Sequence, residues 1–136
     1  MEKKKILIVD DERDIIIYLT TLLKENGYQV LHAQSAEEAL EKILDDRPDL
    51  VCLDIMMPRQ SGIALYRKFK SDARSKDIPA IFISAFGMED KLTGEGFRKY
   101  VPDPEVPEPE VPEPIAYLEK PVKVPRLLQL IQEVLG

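Results

Sequence analysis

The sequence predicts an α/β fold, a doubly wound parallel sheet of five strands with helices on both faces. Short apolar runs rich in β-branched residues alternate with stretches of helical spacing in the order β-α-β-α-β-α-β. Right-handed crossovers leave a doubly wound sheet as the simple solution for that pattern. A chain of 136 residues that is 44% hydrophobic suits one domain built around a single core.

Each element has its own signal. Residues 4–9 form an apolar run closed by Asp10-Asp11, which reads as a buried strand. In 12–26, Ile15, Ile16, Leu19, Leu22 and Leu23 fall near helical spacing, and Gly27 stands where a C′ glycine belongs. Residues 29–33 are a second strand. Ser35-Ala36-Glu37-Glu38 places Glu three residues after Ser, a capping box that opens a helix running to about Asp45. Residues 49–53 give a third strand, 62–71 a third helix and 79–84 a fourth strand, with proline tolerated at its first position. A fifth strand at 116–118 and a final helix follow. That helix has Pro125 at N1 and Leu127, Leu130, Ile131 and Val134 on its apolar face.

Between Ser84 and Lys120 the pattern loosens. A short helix with two ordinary loops needs about 20 residues, whereas 85–119 supplies 35. The surplus lies in residues 101–114, a Pro/Glu-rich insert within the domain, where Pro-Glu-Val-Pro-Glu units repeat every five residues. Alternate prolines remove backbone donors and fix φ, which excludes helix and central strand and favours polyproline II. A helix in 88–100 is expected to be short or irregular, because Gly94 and Gly96 each cost about 1 kcal/mol relative to Ala. The insert reads first as a solvated, self-repelling spacer and second as a docking segment for a basic or aromatic-lined groove.

Composition narrows the function. Net charge is −6, and the insert holds five acids with no Lys or Arg, leaving −1 for the rest. Nothing there provides the clustered basic surface that nucleic acid requires. No apolar run approaches the ~20 residues that span a bilayer. The apolar stretch behind the N-terminal lysines ends at Asp10, too short for a secretory signal. The lone Cys52 forms no internal disulfide, so a cytoplasmic location is expected, with Cys52 a buried thiol. His32, the only histidine, reads as a solvated surface residue. No G-x-G-x-x-G follows the first strand, which disfavours dinucleotide binding.

In a parallel sheet the carboxyl ends of the strands open onto one edge, where ligands bind. The first strand runs into Asp10-Asp11, the third into Asp54, the fourth into Ser84 and the fifth into Lys120-Pro121. Taken singly, an Asp after a strand is more often a helix cap or turn residue. Five compatible groups at the expected positions reverse that weighting. Carboxylates crowded together repel unless a cation sits among them, and a few hard oxygen ligands suit Mg²⁺.

Asp10-Asp11-Glu12 after an apolar strand, Asp54-Ile55-Met56-Met57-Pro58 with Gly62 beyond, Ser84-Ala85 and Tyr117-Leu118-Glu119-Lys120-Pro121 together resemble the receiver domains of bacterial two-component response regulators, in particular the chemotaxis regulators. The resemblance implies the flavodoxin-like strand order 2-1-3-4-5 over the whole of 1–136 and a phosphoryl acceptor at Asp54. It implies Mg²⁺ held by Asp10, Asp11, Asp54 and the backbone carbonyl of Met56. Ser84 would contact a phosphoryl oxygen, Lys120 would pair with the phosphorylated carboxylate, and Ser84 with Tyr117 would form the switch. Met56 and Phe86 are apolar where some relatives carry groups able to place an attacking water, which implies a long-lived phosphorylated form. Lys120-Pro121 is expected to be cis, as in the family.

The partners implied are a sensor histidine kinase or phosphotransfer protein as donor and a downstream protein as target. A homodimer through the face of the 88–100 helix, the fifth strand and the final helix is left open. The expectation is a stand-alone receiver that catalyses only its own phosphorylation and dephosphorylation, with a piece of a longer regulator as the alternative. Two rivals remain: a Mg²⁺-dependent phosphohydrolase, disfavoured by the small, lidless chain, and a pseudo-receiver that docks without phosphorylation, disfavoured by the complete acidic set.

Overall fold

Five short strands and four helices make up the residues described by a computed structural model of the chain, namely 3–55, 62–84 and 111–136. In chain order they are β1 (Lys5–Val9), α1 (Arg13–Glu25), β2 (Gln29–Ala33), α2 (Ala36–Asp46), β3 (Leu50–Asp54), α3 (Gly62–Lys70), β4 (Ala80–Ser84), β5 (Ala116–Glu119) and α4 (Val124–Leu135). The strands pair in the order β2-β1-β3-β4-β5, every pair parallel. The expected sheet and its order are therefore present. The helix expected in 88–100 lies outside the described residues.

Strand alternation divides the core into two layers, because successive side chains point to opposite faces. Leu7, Val9, Val51, Leu53 and Phe82 pack with Ala39 and Ile43 of α2 and with Ile63, Tyr66 and Phe69 of α3. Ile6, Ile8, Leu50, Cys52, Ile81 and Ile83 pack with Ile16, Leu19 and Leu23 of α1 and with Leu127, Leu130 and Ile131 of α4. Burial of each large side chain contributes about 1.5–3 kcal/mol. The central strands β3 and β4 are buried throughout, whereas the edge strand β2 is partly exposed. That contrast is why the central strands read as unbroken apolar runs.

Local chemistry sets the helix ends. Ser35 caps α2 by accepting the Glu38 N–H at 3.2 Å. Glu38 completes only a variant of the box, accepting the N–H of Gln34 rather than that of Ser35, at 3.5 Å. Gly27 follows the end of α1 with φ +90°, the left-handed conformation that glycine adopts without a Cβ penalty. Pro125 is the second residue of α4, not the first, since the helix begins at Val124. Its missing N–H is harmless at either place, because the first turn has no intrahelical acceptors.

Candidate functional site

Because the sheet is parallel, the carboxyl ends of β1, β3, β4 and β5 meet at one edge, and the strand order reverses between β1 and β3. Asp10 directly follows β1, and its N–H donates to the Ala33 carbonyl at 3.1 Å. Asp54 closes β3 and Ser84 closes β4. Lys120 directly follows β5, and its N–H donates to the Ser84 carbonyl at 2.8 Å, tying the two strand ends together. The Lys120–Pro121 peptide is cis, as the resemblance implied. Asp10, Asp54 and Ser84 are each only 2% exposed.

Lys120 links these residues into one site. Its Nζ lies 3.1 Å from Asp10 Oδ2 and 3.1 Å from Asp54 Oδ2, so a single ammonium bridges two buried carboxylates. Glu12 Oε1 is 3.8 Å away on the solvent side. Asp10 Oδ1 also accepts the Glu12 N–H at 2.9 Å, which fixes the carboxylate plane. Burial pushes the Asp10 carboxyl above its usual range; the Glu12 N–H opposes this, the nearby Asp54 charge adds to it, and Lys120 also opposes it. For Lys120, burial pulls the ammonium down, but its hydrogen bonds to Asp10 and Asp54 and their charges outweigh burial and hold it above its ordinary value.

The donor set suits a hard divalent cation. Carboxylate oxygens of Asp10, Asp11 and Glu12 gather within 4.8 Å of one another. Asp10, Glu12 and Asp54 share the Lys120 ammonium and Asp11 adds a further carboxylate beside Asp10, an excess of negative charge among the described residues that a cation would relieve. Ser84 Oγ is buried and, among the described residues, has no hydrogen-bond partner. An unsatisfied buried hydroxyl costs about 1–3 kcal/mol, so it is a donor suited to an incoming oxygen ligand.

Of the residues singled out from the sequence, Asp10, Asp11, Asp54, Ser84 and Lys120 stand at this edge. Met56 and Phe86 lie outside the described residues. Tyr117 is on β5, half-buried, with its ring edge-on to Phe82 at 5.7 Å. Glu12 was missed as a site residue; its signal was a third acid in an unbroken run, which reads equally well as a helix start. His32 is exposed and Cys52 fully buried, as expected, and burial pushes the Cys52 thiol up to about 12.

The insert corrects one expectation. Its last residues are not a freely solvated spacer, because Val111 packs against the α2/α3 layer and Pro114 is buried. The Tyr66 hydroxyl donates to the Pro112 carbonyl at 2.6 Å, and the Tyr117 hydroxyl donates to Glu113 Oε1 at 3.2 Å. Apolar contact and two hydroxyl bonds outweigh the self-repulsion of this stretch, which carries a single acid.

Residues 6–101 match the family described as the response regulator receiver domain, well over half of the chain. The chain belongs to that family. The matched segment ends where the Pro/Glu repeat begins. Among curated proteins, the phosphate regulon transcriptional regulatory protein PhoB of Pseudomonas aeruginosa is 42% identical over 107 residues, covering 76% of this chain but 47% of PhoB. The chain thus spans about half the length of that relative. The polar-differentiation response regulator DivK of Brucella anthropi is 29% identical over 136 residues, covering 98% of this chain and 97% of DivK. The chemotaxis protein CheY4 of Vibrio cholerae shares the fold, with a TM-score of 0.80 at 24% identity over 98% of this chain and 99% of that one. Receiver domains work in two-component systems, where they generally bind Mg²⁺ and interact with histidine kinases and downstream effectors. Among the described residues of this receiver domain, no helix is long and apolar enough to cross a membrane.

Proposed function

We propose that this receiver domain takes a phosphoryl group onto Asp54 from a phosphohistidine of a partner kinase or phosphotransfer protein, in a Mg²⁺-dependent step that switches its protein partners. The observation that carries this reading is the Lys120 ammonium 3.1 Å from both Asp54 and Asp10, at the strand edge where the buried Ser84 hydroxyl has no hydrogen-bond partner among the described residues.

The roles follow from chemistry. An Asp54 carboxylate oxygen attacks phosphorus, the bond from phosphorus to the imidazole nitrogen breaks, and that nitrogen keeps the electron pair. The product on Asp54 is an acyl phosphate. Lys120 offsets charge on the transferred group, and the Ser84 hydroxyl donates to one of its oxygens. Asp10, Asp11 and Asp54 would hold Mg²⁺, with the Met56 carbonyl from the family pattern. Bound there, the ion would supply further charge neutralisation and orient the group. Asp10 is itself oriented by the Glu12 N–H.

The domain modifies itself and turns over no external substrate. The test is incubation with acetyl phosphate and Mg²⁺, followed by hydroxylamine and peptide mapping. A hydroxamate on Asp54 is expected, as an acyl phosphate requires. Continuous hydrolysis of a small phosphate ester would instead establish a phosphohydrolase.

A further inference from the structure

Residues 111–114 close a loop of contacts around the switch side of the site. Gly62, at the start of α3, lies against the end of β3: a Cβ there would meet Asp54 O at 2.7 Å and Ile55 Cα at 2.6 Å. One turn along α3, the Tyr66 ring stacks edge-on against Phe82 at 4.9 Å, and Phe82 in turn meets Tyr117 at 5.7 Å. The hydroxyls of both outer rings of this ladder end on adjacent insert residues, Tyr66 on Pro112 O and Tyr117 on Glu113 Oε1. The Glu113 charge and, more strongly, burial push the Tyr66 hydroxyl up, so it stays a donor at any ordinary pH. Just beyond, the Ile115 N–H donates to the Ala80 carbonyl at 3.0 Å, clamping this stretch to β4. Three residues after Tyr117 comes Lys120, already bonded to Asp54.

We propose that the end of the insert is an internal latch, in which Glu113 holds the Tyr117 hydroxyl and Pro112 holds that of Tyr66, so that the insert opposes the phosphorylation-linked movement of Tyr117. The proposal rests on the reading of Asp54 as phosphoacceptor and Tyr117 as its switch. A ring that shifts inward leaves Glu113, and its hydroxyl gives up an acceptor. By linkage, whatever weakens the latch strengthens binding of the phosphoryl group by the same factor. The Pro/Glu insert would then set the threshold of this receiver domain, rather than only spacing two elements.

The test titrates beryllofluoride with Mg²⁺, a tetrahedral stand-in for the phosphoryl group, into the full chain, its Glu113→Ala and Tyr117→Phe variants and the double variant. Aromatic NMR of Tyr117 is recorded in parallel. Glu113 is exposed, so its truncation leaves the core intact. Glu113→Ala is expected to raise beryllofluoride affinity about fivefold, the worth of one hydrogen bond to a carboxylate at a solvated site, and to move the Tyr117 ring signals before any ligand is added. Tyr117→Phe should have a similar effect, with little further gain in the double variant, because both remove the same bond. Unchanged affinity in Glu113→Ala, or fully additive effects, would overturn the latch while leaving the receiver mechanism in place. Failure of the unaltered protein to bind beryllofluoride at Asp54 would overturn both.

Discussion

Lys120 and the carboxylates around it show how a buried charge can be held at a cost to the fold. Lys120 lies 3.1 Å from Asp10, yet burial and the Asp54 charge still leave the Asp10 carboxyl raised, so its surroundings favour the neutral form. The Asp10→Asn variant is therefore expected to be more stable than the parent without metal at neutral pH, and to bind Mg²⁺ more weakly. Urea unfolding with and without Mg²⁺ checks both, and a destabilised metal-free variant would contradict the reading. Cys52 is likewise a buried group whose ionisation the fold opposes. Its thiol is raised from 9.0 to about 12 by burial alone. A raised acid pKa means that the unfolded thiol ionises first, so native stability falls as pH rises from 9 toward 12, by about 1.4 kcal/mol per unit. Cys52→Ala is expected to flatten that slope relative to the parent in alkaline denaturation curves, whatever cavity it leaves at neutral pH.

At the level of elements, the junction of β3 and α3 governs the site. A Cβ at Gly62 would sit 2.6 Å from Ile55 Cα, against backbone that cannot swing aside as a flexible side chain would. Gly62→Ala is expected to cost about 1–3 kcal/mol and to slow phosphoryl uptake by displacing Asp54, a loss measurable by chemical denaturation alongside acyl-phosphate yield. Truncating the cap of α2, Ser35→Ala, should cost about 1 kcal/mol and leave phosphoryl uptake unchanged, because among the described residues that side chain bonds only within its own helix. The elements were legible because each carries a local signal: Ser35 and Glu38 at the start of α2, Gly27 after α1, uninterrupted apolar runs in β3 and β4. Their ends were less so, and differed mostly by one residue. Asp54 belongs to the last position of β3 rather than following it, and α4 starts at Val124 rather than at Pro125. Hydrogen bonding across the sheet and around a turn, which decides such ends, leaves no mark on hydrophobic spacing.

Across the whole molecule, topology does most of the assembly. A parallel sheet in the order β2-β1-β3-β4-β5 brings Asp10, Asp54, Ser84 and Lys120 to one edge from positions up to 110 residues apart in sequence. That convergence could be read from the sequence because parallel strands share one carboxyl edge. Glu12 could not, since an acid at a helix start is also what the helix dipole favours. The anchoring of the insert could not either. Nothing in a Pro/Glu repeat announces that its carbonyl and carboxylate will meet the hydroxyls of Tyr66 and Tyr117, which belong to distant elements and become neighbours only through packing around Phe82.

On the function proposed here, Asp54 accepts a phosphoryl group with the help of Mg²⁺ and Lys120. Intact mass after incubation with acetyl phosphate and Mg²⁺, compared between the parent and Asp54→Asn, tests it most directly. A single phosphoryl adduct on the parent, absent when EDTA is present from the start and absent in the variant, is the predicted result. No adduct on a folded, Mg²⁺-binding parent, or an equal adduct on Asp54→Asn, would contradict it.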